Sequence, residues 1–276
     1  SLGSMNAVRS IDAANLTMTV DAGCILQNLQ DSAEKAGFLF PLSLAAEGSC
    51  TIGGNLATNA GGIKVLQYGL TRDWVVGLKV VTGAGELLDL NRSLIKNATG
   101  YDFRHLFIGS EGTLGFIVEA SMKLARKPEN LTVVLLAVPD MTNVISVMTQ
   151  FRANVELTAF EFFSDKALEH VLAHSELSRP FTEPSAFYAL IEFDQRNSAV
   201  MDAALGAFES CVEAGIAVDG VISQSEQQRK DIWRYREDIS EAITPHTPYK
   251  NDVSVRVSKV SEFLKAVDVT EASAYP

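Results

Sequence analysis

From residue 131 onward the chain changes hydrophobic period again and again, and that alternation restricts its folds more than any other feature. LTVVLLAVP (131–139) is an apolar run of strand length. Asp140 follows it as a candidate N-cap for a helical pattern over 141–152. LTAFEFF (157–163), AFYALIEF (186–193) and VDGVISQ (218–224) read as further strands. Between and after them lie helical patterns at SDKALEHVLAH (164–174), at 198–214 and at 225–243. DVSVRV (252–257) alternates like one more strand, and a last helix is expected near 258–268. Such a series predicts an α+β sandwich with helices on one face of a sheet.

The residues before this series have a different texture. Short apolar runs are separated by glycine-rich turns up to about Arg126, and ARKPEN (125–130) is a polar, proline-containing boundary. Residues 17–23 alternate like a strand. Leu26, Leu29, Ala33 and Ala36 recur at helical spacing, with Gly37 as C-cap. WVVGLKVVT and ELLDL flank Gly83-Ala84-Gly85 as a hairpin, and 113–124 reads as a strand.

Within that first part, TIGGNLATNAGG (51–62) holds four glycines, two Asn and two Thr, with no charge and no aromatic ring. Glycine permits positive φ and close approach of a ligand to the backbone. Free peptide N–H groups in such a loop form an anion-binding concavity. The stretch therefore predicts a loop against a large, flat, partly anionic ligand; the plain alternative is a tight turn packed against another strand. Gly83-Ala84-Gly85 matches only the start of a dinucleotide fingerprint and lies between strands, so the hairpin reading wins. The run Gly109–Gly115 is neither a Walker P-loop nor a G-x-S-x-G elbow. Glu111, between glycines, can accept from a ligand's hydroxyl or N–H, or satisfy a turn.

Composition narrows the partners. The net charge of −11 over 276 residues argues against nucleic acid and against an anionic membrane surface. A local basic site can still attract a small anion. Cys24, Cys50 and Cys211 are odd in number and contain no C-x-x-C pair, which points to a reduced, cytoplasmic compartment. No apolar run reaches the ~18 residues of a membrane span.

Four segments then occur in the order and spacing of one family: PLSLAAEGSCTIGGNLATNAGG (41–62), YGLTRD (68–73), NATGYDF (97–103) and GSEGTLGFI (109–117). The chain resembles the FAD-linked D-2-hydroxyacid dehydrogenases of the vanillyl-alcohol-oxidase/PCMH flavoprotein superfamily, over essentially its whole length. Within that group, GSCTIGGN and IWRYREDISEAI…YKNDVSVRVS sit nearest the D-2-hydroxyglutarate dehydrogenases, ahead of D-lactate dehydrogenases and the glycolate oxidase flavin subunit. The resemblance implies a PCMH-type FAD-binding domain at 1–126 and a ferredoxin-like α+β substrate (cap) domain at 127–276. It implies FAD contacts at Pro41, Gly48, Ser49, Cys50, Ile52, Gly53, Gly54, Asn55, Thr58, Asn59, Gly61 and Gly62. A second FAD segment follows at Glu111, Gly112 and Ile117.

The helical pattern at 225–243 bears an apolar stripe of Ile232, Tyr235, Ile239, Ala242 and Ile243. Arg236 borders the stripe with Ser240 one turn later. On spacing alone this is a snorkelling arginine beside an exposed serine. By resemblance, Arg236, Ser240 and Lys250 bind the substrate carboxylate, a task suited to a guanidinium fork and an ammonium point charge. His170 and His174 stand at i, i+4 without an H-E-x-x-H frame, so they read as solvated rather than metal-binding. His105 reads as structural. His246, near Lys250, is a weak candidate for the substrate mouth.

The resemblance implies oxidation of a D-2-hydroxy acid by hydride transfer to flavin N5, with electrons passing to a separate cytochrome, quinone or electron-transfer flavoprotein. Relatives carry a diphosphate loop before the counterpart of Ser1. After the counterpart of Pro276 they carry a histidine-rich segment with the base and, in some members, divalent-metal ligands. No catalytic residue is therefore assigned within this chain, a metal is expected only in the longer enzyme, and the chain alone is expected to hold FAD weakly and be inactive. A silent FAD-fold binding domain and an alkylglycerone-phosphate-synthase-like transferase are the alternative readings.

Overall fold

The computed structural model describes residues 2–90, 94 and 96–274, and the chain divides into two units, Ser1–Pro128 and Glu129–Pro276. In the first unit the elements run β1 (Val8–Asp12), β2 (Thr17–Asp21), α1 (Leu26–Lys35), β3 (Phe38–Leu39), α2 (Ile52–Ala57) and α3 (Val65–Tyr68). They continue with β4 (Val75–Thr82), β5 (Leu87–Leu90), α4 (Arg104–Phe107), β6 (Gly115–Lys123) and β7 (Ala125–Arg126). The second unit contains β8 (Leu131–Val138), α5 (Met141–Asn154), β9 (Leu157–Ser164), α6 (Asp165–His174), β10 (Phe187–Asp194), α7 (Ser198–Glu213) and β11 (Asp219–Ile222). It ends with α8 (Glu226–Glu237), α9 (Ile239–Ile243) and α10 (Val260–Ala274).

The first unit is built on an antiparallel sheet in the order β1-β2-β6-β4-β5. The expected hairpin is present, with Val81 opposite Leu87 across the glycine turn. Helix α1 buries Leu26, Leu29 and Ala33 and ends before Gly37, whose φ of +83° is the left-handed geometry that glycine allows. These side chains join Met18, Val20, Ile52, Leu56, Val80 and Met122 in one core.

The second unit's sheet runs β11-β8-β10-β9, all antiparallel. Numbered within the unit this is the order 4-1-3-2 of a β-α-β-β-α-β ferredoxin-like fold, with α6 inserted between the middle strands. Register separates the two faces. Ala189, Ile191 and Phe193 of β10 pack with α5 and α7 side chains such as Val144, Phe151 and Cys211. Tyr188, Leu190 and Glu192 alternate onto the opposite face. Helix α8 lies on that second face, where Trp233 reaches Glu192. The expectation of helices on one face only is therefore corrected: a strand apolar on both sides, such as β8, needs cover on both.

Two further expectations change. The helix foreseen over 225–243 is interrupted at Asp238, whose side chain accepts from Arg234 Nε at 3.0 Å, giving α8 and α9. DVSVRV is not a strand: 251–256 is exposed, without a ladder partner, and a 3-10 turn at Val257–Lys259 leads into α10. Alternation supplies a strand's faces but not the neighbouring edge that its N–H and C=O groups require. The last helix begins near the expected place and extends to Ala274.

Candidate functional site

In the first unit, three separated stretches of sequence meet. Residues 52–57 form α2 rather than a loop, with Thr51 as N-cap accepting from Gly54 N at 3.4 Å. Ile52 N donates to Cys24 O at 2.9 Å and Gly53 N to Ala22 O at 2.8 Å, so these N–H groups are spent internally. The segment at 109–112 closes over α2: Gly109 N donates to Leu56 O and Glu111 N to Ala57 O, both at 2.9 Å. The third stretch, 69–73, is tied in by Thr71 Oγ1 donating to Ala60 O at 2.7 Å and by Arg72 N donating to Asn59 Oδ1 at 3.0 Å. Arg72 Nη2 then donates to Ile108 O at 3.0 Å and fastens the 109–112 turn. Asn59 and Glu111 both hold positive φ, at +50° and +52°, a conformation non-glycine residues seldom adopt.

Packing explains most of the glycines. A Cβ on Gly53 would lie 2.7 Å from Ala22 Cβ, on Gly61 2.7 Å from Leu70 Cδ2, and on Gly62 1.8 Å from Ser43 O. Gly54 is different: a Cβ there meets only Thr51 Oγ1, at an ordinary 3.5 Å, although glycine within a helix is unfavourable by roughly 1 kcal/mol against alanine. The N–H groups of Gly61 and Gly62 donate to no group among the described residues. Gly48, Ser49, Gly54, Thr58, Gly61, Glu111 and Gly112 are exposed, Cys50, Asn59 and Gly62 half-buried, and Pro41, Ile52, Gly53, Asn55 and Ile117 buried. Ile52 and Ile117 belong to the hydrophobic core, so their side chains are committed to packing. Cys50 Sγ faces Asn55 Nδ2 at 3.6 Å.

In the second unit, Lys250 Nζ donates to Ser240 Oγ at 2.8 Å, bringing two of the three expected substrate residues together. Arg236, four residues before Ser240, donates from Nε to Glu161 Oε2 on β9 at 2.7 Å. Two turns earlier on the same helix, Arg229 Nη1 stands 3.5 Å from Glu192 Oε2. Glu192 is fully buried and also accepts from Trp233 Nε1 at 2.8 Å and Thr158 Oγ1 at 2.6 Å. The sheet-facing stripe of α8 thus includes Arg229, Trp233 and Arg236, at i, i+4 and i+7. The apolar stripe read from spacing contained Ile232 and Tyr235 but neither Trp233 nor the acidic partners. The signal was present in LTAFEFF, where Glu161 interrupts the strand on the face shared with Ala159 and Phe163.

Electrostatics around α8 follow from these pairs. The Arg229 fork holds the Glu226 carboxyl below its ordinary range, and Glu226 in turn raises Arg229. Burial pushes the Tyr235 hydroxyl up, and it donates to Ser178 O at 2.6 Å. His174 and His246 are exposed and His170 is half-buried. The rings of His170 and His246 touch, with centroids 4.8 Å apart, and His174 Nε2 lies 3.6 Å from Glu241 Oε1. No group of three metal-ligating side chains converges among the described residues. His105 lies 3.5 Å from Asp102, whose carboxyl Arg104 holds below its ordinary range.

Residues 127–273 match the family of FAD linked oxidases, C-terminal domain, and residues 1–91 match the FAD binding domain. The chain belongs to the FAD-linked oxidases. This FAD-linked oxidase is 52% identical over 272 residues to a D-2-hydroxyglutarate dehydrogenase of Stutzerimonas stutzeri (strain A1501), covering 99% of this chain and 59% of the relative. It is 51% identical over 276 residues to a D-2-hydroxyglutarate dehydrogenase of Xanthomonas citri pv. viticola, covering 100% of this chain and 58% of the relative. A mitochondrial D-2-hydroxyglutarate dehydrogenase of Bos taurus is 39% identical over 264 residues, covering 94% and 48%. The chain thus spans about three-fifths of the length of its bacterial relatives. Among solved structures, an alkyldihydroxyacetonephosphate synthase shares the fold with a TM-score of 0.67 at 23% identity, covering 88% of this chain and 45% of that one.

The oxidase's cofactor is FAD, and the first unit suits one. An exposed glycine that packing does not require, two open backbone donors at Gly61-Gly62 and the exposed Thr58 fit a flat ligand rich in acceptors.

Proposed function

We propose that the gene product oxidises a D-2-hydroxy acid of the D-2-hydroxyglutarate class to the 2-oxo acid, with FAD as the immediate acceptor. FAD, when bound, supplies the hydride acceptor for the substrate's C2 hydrogen. The exposed face of α2 and the 109–112 turn, centred on Gly48, Gly54, Thr58, Gly61, Gly62, Glu111 and Gly112, would hold it. Arg236, Ser240 and Lys250 would bind the C1 carboxylate. The observation that carries this reading is the pairing of Lys250 with Ser240 at 2.8 Å, close in sequence to an arginine whose terminal nitrogens are open. A hydroxyl and an ammonium already joined need little further ordering when an anion arrives. The sequence similarity to D-2-hydroxyglutarate dehydrogenases supports the substrate class. We place the enzyme in the soluble compartment, passing electrons to a separate cytochrome, quinone or electron-transfer flavoprotein. No helix among the described residues is long and apolar enough to cross a membrane.

The test is a panel of D-2-hydroxy acids with a dye acceptor, run on the complete gene product loaded with FAD. D-2-Hydroxyglutarate should be turned over well above D-lactate. Arg236→Ala should raise KM for the hydroxy acid by roughly a hundredfold, the loss of a charge-assisted bidentate contact. An unchanged KM removes Arg236 from the carboxylate site.

A further inference from the structure

We infer that Glu161 is a positioning residue for the substrate-binding arginine. It fixes the Arg236 guanidinium by its Nε edge and leaves the terminal fork open. The inference rests on the reading of Arg236 given above and adds a residue to it. Glu161 and Glu192 lie on adjacent strands and on one face of the sheet, since Glu161 pairs with Leu190 and Glu192 with Ala159. Each meets an arginine of α8, and the two arginines are seven residues apart. Two carboxylates on a rigid sheet therefore set the seat of the helix at two points, two turns apart.

The two contacts differ in kind. Arg229 is largely enclosed and its other nitrogens are taken, with Nε and Nη2 both donating to Glu226. Arg236 is 35% exposed, and its Nε alone is engaged, at 2.7 Å from Glu161 Oε2. Its Nη1 and Nη2 have no hydrogen-bond partner among the described residues. Those two nitrogens form one edge of the planar fork that a carboxylate can meet bidentately. An arginine free in solvent would have to lose its rotamer freedom on binding, whereas one buttressed from a strand has already lost it.

The experiment uses the complete, FAD-loaded gene product with D-2-hydroxyglutarate and a dye acceptor. It compares Glu161→Ala, Glu161→Gln, Arg236→Ala and the double variant Glu161→Ala/Arg236→Ala. Glu161→Ala should raise KM about tenfold while kcat stays within about twofold, because an unfixed fork weakens ground-state and transition-state binding alike. Glu161→Gln keeps an acceptor for Nε and should restore most of the lost affinity. In the double variant KM should equal that of Arg236→Ala alone, since Glu161 acts only through the arginine. Flavin absorbance and the thermal midpoint should not move in Glu161→Gln, which separates positioning from folding. The inference is overturned if Arg236→Ala raises KM but Glu161→Ala leaves it unchanged or lowers it; a lowered KM would mean that Glu161 competes with the substrate. It is overturned as well if the two substitutions add. An Arg236→Ala variant with wild-type KM removes the carboxylate reading and this inference together.

Discussion

At the residue scale, the glycines of 51–62 separate into two kinds that composition cannot distinguish. Gly62 has Ser43 O where a Cβ would stand, while a Cβ on Gly54 meets only Thr51 Oγ1, at an ordinary 3.5 Å. Gly62→Ala should therefore lower stability by roughly 1–3 kcal/mol through overpacking, visible as a fall in the thermal midpoint. Gly54→Ala should leave the flavin-free protein as stable or more so, by up to about 1 kcal/mol from helix propensity. In the FAD-loaded gene product the same substitution should weaken flavin retention in a visible-absorbance titration. Wild-type FAD affinity in Gly54→Ala would show that the glycine is not there for the cofactor. Four glycines in twelve residues could be read from sequence as close approach to something. That the something is the protein itself (Ala22 at Gly53, the Leu70 and Val65 side chains at Gly61, the Ser43 carbonyl at Gly62) depends on neighbours that spacing along the chain does not reveal.

At the element scale, α5, α7 and α8 begin on side-chain caps, and the first of these was read from the sequence. Asp140 accepts from Asn143 N at 3.0 Å, as expected, and Asn197 and Ser225 each accept from the residue three ahead at 3.1 Å. Asn197→Ala should cost about 1 kcal/mol and lower the urea midpoint of the second unit without changing the slope of the transition. A changed slope would mean that α7 is lost rather than merely uncapped. Strands were equally legible where they are buried, as in LTVVLLAVP. DVSVRV misled because alternation describes a strand's side-chain faces and says nothing of a free edge beside it. The break at Asp238 was invisible for a related reason. Each residue of 225–243 is compatible with a helix, and the interruption coincides with the contact of Arg234 with the Asp238 side chain.

At the scale of the whole molecule, the second unit's core carries a built-in response to alkali. Cys211 is fully buried between α7 and the sheet, and burial pushes its thiol up to about 11 from an ordinary 9.0. The folded state keeps this proton across the window in which the unfolded chain releases it. Its contribution is intact below pH 9 and lost progressively as pH rises to about 11, on the order of 2 kcal/mol. Burial raises Tyr188 and Tyr235 as well, which adds in the same direction from about pH 10 upward. Denaturant midpoints measured from pH 8 to 11 should fall along this curve, and Cys211→Ala should make the fall between 9 and 11 shallower, with Cys24 and the two tyrosines supplying the remainder. An equally steep fall in that variant would assign the effect to other groups.

The linear order of residues determined the alternation of strands and helices, the polar boundary near ARKPEN, the hairpin at Gly83-Ala84-Gly85 and the small-residue character of 51–62. Each of these depends on interactions among residues within a few positions of one another, or on their partition between water and an apolar interior. Tertiary structure alone decided that 109–112 closes over α2, that Glu192 lies buried beneath Trp233, and that Glu161 meets Arg236 across 75 residues of chain. A buried carboxylate is tolerable only where partners from other elements satisfy it, and those partners are chosen by the register of strands and the seat of a helix.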